Sequence, residues 1–179
     1  MPEDEFTVAF WLKTGENDRR IYPFSYAVEG EDNELLIYMD DDITVEVDWP
    51  NEFHVDRDLR DNEWHHLAIT WRSDNGTIDM YVDGILERSA TTAEGETLEQ
   101  NGSLMLGYEQ DSVGGGFENE QGFAGSMDEL IITGSYMNST EIMDLFGEYN
   151  PPPSGLEILP GSQFLDLSWN SAEDPGLDF

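Results

Sequence analysis

The 179-residue chain contains no cysteine, so no disulfide supports its fold and cysteine usage does not define a compartment. It is also poor in bases. Seven Lys and Arg stand against 40 Asp and Glu, a formal net charge of −33. Lys13 is the only lysine, and no Lys, Arg or His follows Arg88. Such a surface repels nucleic acid, whose binding needs cations against phosphate, and it repels an anionic membrane. No apolar run approaches the ~20 residues of a membrane span, so membrane insertion is not expected. The first residues, MPEDEFTVAFW, lack the basic and apolar regions of a signal peptide. An exported native protein is expected to carry its signal upstream.

Hydrophobic residues make up 38% of the chain, with five Trp, seven Tyr and nine Phe. That is enough for one well-packed core, so the charge does not imply disorder. Self-repulsion among so many acids opposes a compact state. Molar salt shortens the Debye length to about 3 Å and removes most of that repulsion. The acid excess therefore reads as adaptation to high salt.

The dominant period is two. Short runs rich in aromatic and β-branched residues fall at Phe6–Lys13, Glu34–Met39, Ile43–Trp49, Trp64–Ser73, Ile78–Val82, Ser103–Tyr108 and Gly122–Thr133. Turn residues separate them: Asp74-Asn75-Gly76, Asp83-Gly84 and Asn101-Gly102. This spacing predicts an all-β, two-sheet antiparallel sandwich. One helix is predicted over Asn138–Phe146, capped by Ser139 or Thr140, with Ile142, Leu145 and Phe146 as its apolar face and Gly147 as its stop. The run NPPPSG at 150–155 reads as a linker. The expected organisation is a sandwich over 1–149, the linker, and a second unit beginning at 156–179. No internal repeat is visible, and the chain is expected to be a segment of a longer multidomain protein.

One stretch is unusual: LGYEQDSVGGGFENEQGF, from Leu106 to Phe123. It gathers Glu109, Asp111, Glu118 and Glu120 around three glycines, without a cation. Calcium takes 6–8 oxygen ligands from carboxylates, amide carbonyls and main chain, about 2.3–2.6 Å away. The glycines allow Glu118 and Gln121 to fold back towards Glu109 and Asp111. The spacing is not that of an EF-hand. On these residues alone, a solvated acidic loop and a calcium loop are both open readings.

The sequence also carries FSYAVEGEDNELLIY (Phe24–Tyr38), HLAITWRS (His66–Ser73) and LGYEQDSVGGGFENEQGFAGSMDEL (Leu106–Leu130). Over about Phe6 to Phe146 these resemble the pentraxin family, a branch of the laminin-G-like, concanavalin A-like jelly rolls. The resemblance implies a two-calcium site. Asp32, Asn33, Glu109, the main-chain carbonyl of Gln110 and Asp111 would hold the first ion. Glu109 and Asp111 would bridge to a second, completed by Glu118 and Gln121. Tyr38 would stand at the family's phosphocholine pocket. The departures are specific. Ala9 and Ala68 occupy the positions of the family's disulfide. The tail that helps build cyclic pentamers gives way to the proline linker, so an oligomer is neither required nor excluded. Residues 156–179, with Trp169, resemble the opening strands of a fibronectin type III domain.

Three functions are weighed. The first is a calcium-dependent, lectin-like recognition module for glycans or phosphorylated or otherwise anionic ligands, extracellular or on a cell surface. The second is a concanavalin-like glycoside hydrolase. Its paired-acid spacing on one strand is absent, and the nearest approach, EVDWPNE (Glu46–Glu52), is interrupted by Pro50. The third is a structural adhesion or spacer module. Asp40–Asp42 read as a solvated turn. His65 and His66 should face opposite ways, one buried and one exposed. Trp11, Trp64 and Trp71 are expected in the core. Trp49 is either an exposed stacking platform or a buried loop anchor.

Overall fold

The computed structural model describes residues 1–148 and 156–158. Eleven strands and one helix follow in the order β1 (Glu5–Lys13), β2 (Ile21–Val28), β3 (Glu31–Met39), β4 (Ile43–Val47), β5 (Glu52–Val55), β6 (Trp64–Arg72), β7 (Thr77–Val82), β8 (Ile85–Thr91), β9 (Ser103–Leu106), β10 (Gly125–Thr133), α1 (Ser139–Glu148) and β11 (Leu156–Ile158). They form two antiparallel sheets. One runs β11-β10-β1-β6-β7-β8, the other β5-β4-β3-β2-β9. This is the two-sheet antiparallel sandwich that the period of two predicts, in the jelly-roll form that the resemblance implies, with the one expected short helix.

Alternation along each strand decides which side chains meet between the sheets. Phe6, Val8, Phe10 and Leu12 of β1 point inwards and are fully buried. They pack with Leu35, Ile37 and Met39 of β3, Val45 and Val47 of β4, and Ile69 and Trp71 of β6. The Asp83-Gly84 turn joins β7 to β8 with φ of 51° and 75°, the left-handed pair that a two-residue hairpin requires.

The two outer faces differ. Ala9 of β1 and Ala68 of β6 are direct cross-strand partners on the outer face of the six-stranded sheet. Both are fully buried, packed with Tyr81 and with Ile142 of α1. The helix therefore covers that face. Its cap is Asn138, one residue before the expected Ser139 or Thr140. Asn138 Oδ1 accepts from the Thr140 and Glu141 amides, and Glu141 returns a carboxylate to the Asn138 amide at 2.8 Å. This reciprocal box outcompetes the hydroxyls. Gly147 lies inside the helix and does not end it.

Three strands have weak signals in the sequence. β2 carries a proline, Pro23, at a register irregularity. β5 has four residues, and β8 exposes nearly every side chain. Trp11 and Trp71 are buried as expected, whereas Trp64 is half-buried and Trp49 is 54% exposed. Leu156–Ile158 pairs with β10, opposite Gly125–Met127. Trp169 and the rest of the fibronectin-like segment lie outside the described residues. Among the described residues, no helix is long and apolar enough to cross a membrane.

Candidate metal and ligand site

Among the described residues, no helix covers the outer face of the five-stranded sheet. Cross-strand pairing sets its side chains in rows. Met105, Ser25, Leu36, Glu46 and Glu52 form one row across β9, β2, β3, β4 and β5. Tyr38, Thr44 and His54 form the next. Partners in a row share a face, so Leu36 and Tyr38 stand side by side on it.

The acidic loop is tied to the first row. Ser25 Oγ donates to the Tyr108 carbonyl at 2.8 Å. The fully buried Gln110 side chain donates to Ser25 Oγ at 3.0 Å and to the Ser103 carbonyl at 3.0 Å. Its Oε1 accepts the Gly114 amide at 2.8 Å. Gln110 thus spends its side chain on anchoring the loop, which leaves its main chain for the role that the resemblance implies.

The loop also folds back. The Glu109 amide donates to the Gln121 carbonyl, and the Phe123 amide to the Gly107 carbonyl, at 3.0 and 2.9 Å. A single helical turn at Asn119–Gln121 closes the return, with the Gln121 amide on the Glu118 carbonyl. Gly116 has φ of 75°, and a Cβ there would lie 2.7 Å from the Asp111 Cβ. Any larger residue would push the two limbs apart. The structure therefore brings Glu109 and Gln121 together on adjacent limbs and seats Gly116 against Asp111. Asp111 and Glu118 are exposed.

Asp32 and Asn33 lie near the start of β3, where the Asn33 carbonyl accepts the Trp49 amide at 3.4 Å. Two amide oxygens, Asn33 Oδ1 and Gln121 Oε1, are buried without a hydrogen-bond partner. A buried carbonyl oxygen left so costs about 1–3 kcal/mol unless something else binds it. A calcium ion takes such oxygens. Among the described residues, no three His, Cys, Asp or Glu side chains converge to hold a metal unaided. The donor set read from the sequence calls for one such group at the second ion, Glu109, Asp111 and Glu118, and the structure does not gather these three into it. The set also includes two amide side chains, a main-chain carbonyl and Asp32, whose side chain lies outside the described residues. On the orphaned amides and the folded-back limbs, the residues present fit a calcium site.

Arginines, invisible as a motif, hold the surroundings. Arg60 is buried, bound to Asp58 at 2.9 Å and Asp41 at 3.1 Å, and its Nη1 donates to the Arg19 carbonyl. Arg19 Nη1 in turn donates to the Asn119 carbonyl at 2.8 Å. Arg20 pairs with Asp40 at 3.0 Å. Asp40 and Asp41 are thus engaged by arginines and do not form a metal cluster. Two adjacent bases in so acidic a chain were the available signal. Burial raises the Tyr22 phenol pKa, Arg20 opposes this, and the Glu109 and Glu46 charges add to the rise, so Tyr22 stands within reach of both acids. Glu46 and Glu52 face each other across the β4–β5 hairpin, because the turn carrying Pro50 reverses the chain between them. His66 is buried and His65 lies between Asp61 and Asp83 at 3.2 and 3.0 Å.

The Pentaxin family model matches residues 1–151. The chain belongs to the pentraxin family. It is 33% identical to C-reactive protein 1.1 of Limulus polyphemus over 150 residues, 77% of this chain and 60% of that protein. It is 32% identical to human neuronal pentraxin-1 over 151 residues, 78% of this chain and 33% of that protein. It therefore spans less than two thirds of the length of each of these curated relatives. Among solved structures, the native heptameric SAP-like pentraxin of Limulus polyphemus superposes with a TM-score of 0.74 at 20% identity, over 86% of this chain and 76% of that one. That likeness establishes the shared sandwich fold.

Proposed function

We propose that this pentraxin domain is a calcium-dependent recognition module. Asp32, Asn33, Glu109, the Gln110 carbonyl, Asp111, Glu118 and Gln121 would hold two calcium ions beside the Tyr38 face. The observation that carries the reading is the pair of buried, unpartnered amide oxygens at Asn33 and Gln121. They come from segments far apart in sequence, and each falls at a position where the family resemblance calls for a ligand. Bound calcium would supply the positive charge that a chain of −33 otherwise lacks for holding an anion.

The ligand class is a phosphate ester or an acidic or polyol group on a glycan. The protein's own part is to hold the donors in place, through Gln110 and Ser25, and to offer Tyr38 as the neighbouring wall. No proton transfer or covalent step is assigned to these residues, and the proposed role is binding without catalysis, outside the cell or at its surface.

The test is thermal unfolding in molar salt. Millimolar calcium is expected to raise Tm, EDTA to reverse the rise, and Glu109→Gln or Asp111→Asn to abolish it. An unchanged melting curve across millimolar calcium would sink the proposal. Binding to an array of phosphorylated and acidic glycans, with and without calcium, then separates recognition from a purely structural role.

A further inference from the structure

Trp11 and Trp71 are buried and Trp64 is half-buried, but Trp49 is 54% exposed. The turn that carries it is closed by other groups. The Val47 amide donates to the Asn51 carbonyl at 2.9 Å, and Asn51 Nδ2 donates to the Asp48 carbonyl at 2.6 Å. Pro50 follows, with its φ fixed by the ring. The indole is thus held on a stiff support that does not need it for closure.

That support is fastened to the candidate calcium site. The Asp48 amide donates to the Glu34 carbonyl at 2.9 Å, and the Trp49 amide to the Asn33 carbonyl at 3.4 Å. Glu34 accepts the Glu99 amide, and the Asp48 side chain is hydrogen-bonded to Glu96, so both acids turn to the loop that precedes β9. Side chains of an extended chain alternate, which turns Asn33 the other way. Its Oδ1 is one of the two buried amide oxygens without a partner. Trp49 starts one main-chain hydrogen bond from that residue. Tyr38 lies further along β3, ~16 Å from Asn33. The two rings therefore stand at different ends of the face.

We infer that Trp49 is a specificity-determining residue: a stacking platform that selects, among anionic ligands of the calcium site, those whose anion is carried on a pyranose ring. The inference rests on the calcium-dependent reading above. A phosphate or carboxylate held by calcium at Asn33 brings the ring that bears it against the indole. One face of a pyranose presents mainly C–H groups, and an aromatic face covers these while the hydroxyls at the ring edge stay in water. The same anion on an open chain offers no such face and loses more conformational freedom on lying flat.

The experiment compares two soluble phosphate monoesters of equal charge, methyl glucoside phosphate and sorbitol phosphate, both esterified at a primary hydroxyl and differing in the ring. Binding to the wild type, Trp49→Ala and Trp49→Phe is measured by calorimetry in calcium and in EDTA, in high salt. The wild type is expected to prefer the ring ester by roughly fivefold, the scale of one aromatic contact. Trp49→Ala should bind both esters alike, at the wild-type affinity for the sorbitol ester, whereas Trp49→Phe keeps part of the preference. A calcium-induced rise in Tm in each variant checks that fold and metal site survive. Equal binding of the two esters by the wild type, no binding of either, or a preference that survives in Trp49→Ala overturns the platform while that rise upholds the calcium site. Absence of calcium-dependent binding together with no calcium effect on Tm overturns the platform and the recognition reading together.

Discussion

His66 shows how far one buried side chain ties stability to pH. It is 2% exposed, with Trp11 and Phe146 rings at 5.4 and 5.8 Å. Burial drives its pKa from 6.5 down to about 4, against a smaller opposing pull from Asp83. Its folded value lies below its unfolded value, so the unfolded chain takes up the extra proton first. The contribution of neutral His66 is complete above pH 6.5 and is lost as pH falls towards about 4, a change on the order of 3 kcal/mol. Replacing it with an aromatic that cannot titrate, His66→Phe, is expected to flatten the acid limb by that amount. Urea unfolding of both proteins across pH 4 to 7 reads the difference, and parallel curves would refute the assignment. His65 works the other way. Its own burial opposes protonation, but Asp83 and Asp61 outweigh it and raise its pKa, so its contribution is present at low pH and lost as pH rises.

At the scale of elements, the acidic loop stays in place through contacts that lie outside it. Arg19 holds the Asn119 carbonyl, and buried Arg60 holds the Arg19 carbonyl. Removing Arg19 has two opposed effects on calcium. Losing a nearby cation should tighten binding, whereas losing the latch should loosen the return limb that carries Glu118 and Gln121. A hydrogen bond from a charged group is worth about 1.5–3 kcal/mol, which is tenfold or more in affinity, while exposed charges are screened in salt. Arg19→Ala is therefore expected to weaken calcium binding in high salt, measured by titration. Tighter binding would show that charge and not position governs.

Most strands and the sandwich were legible in the sequence, but β2, β5 and β8 were not. Alternation of side chains and the family positions of Asn33, Gln110 and Gln121 are local signals. The arginine relay was not legible, because Arg19, Arg60 and Asn119 meet only through the fold. The cap at Asn138 was missed for a smaller reason: Ser139 and Thr140 are equally good cap residues, and only the returning Glu141 carboxylate decides among them. The hairpin joining Glu46 to Glu52 was read as a broken strand, since a proline signals interruption without saying where the chain goes next.

For the whole molecule, charge is the governing quantity. A formal −33 over the 179-residue chain, most of it on the sandwich, makes the compact state self-repelling at low ionic strength. The ion pairs of buried Arg60 with the exposed carboxylates of Asp41 and Asp58 relieve this only locally. Raising sodium chloride from about 0.1 M to about 2 M, which shortens the Debye length from about 10 Å to under 3 Å, is expected to raise Tm markedly. Calcium should add to this at low salt and still add at high salt, because a coordinated ion is not displaced by screening alone. A melting temperature flat in salt would mean that the acids are not the limiting term.

The position of β1 has a consequence for synthesis. β1 lies inside the six-stranded sheet, between β6 and β10. Its Thr7 reaches Ser135, a sequence separation of 128 residues. Earliest in sequence of the described strands, β1 is therefore among the last of them to acquire both of its neighbours, and closing such distant pairs is slow. Until β10 emerges, one edge of the apolar β1 stays open. In a nascent chain that edge is the natural place for a chaperone to hold, and the dense negative charge around it discourages two unfinished copies from meeting there.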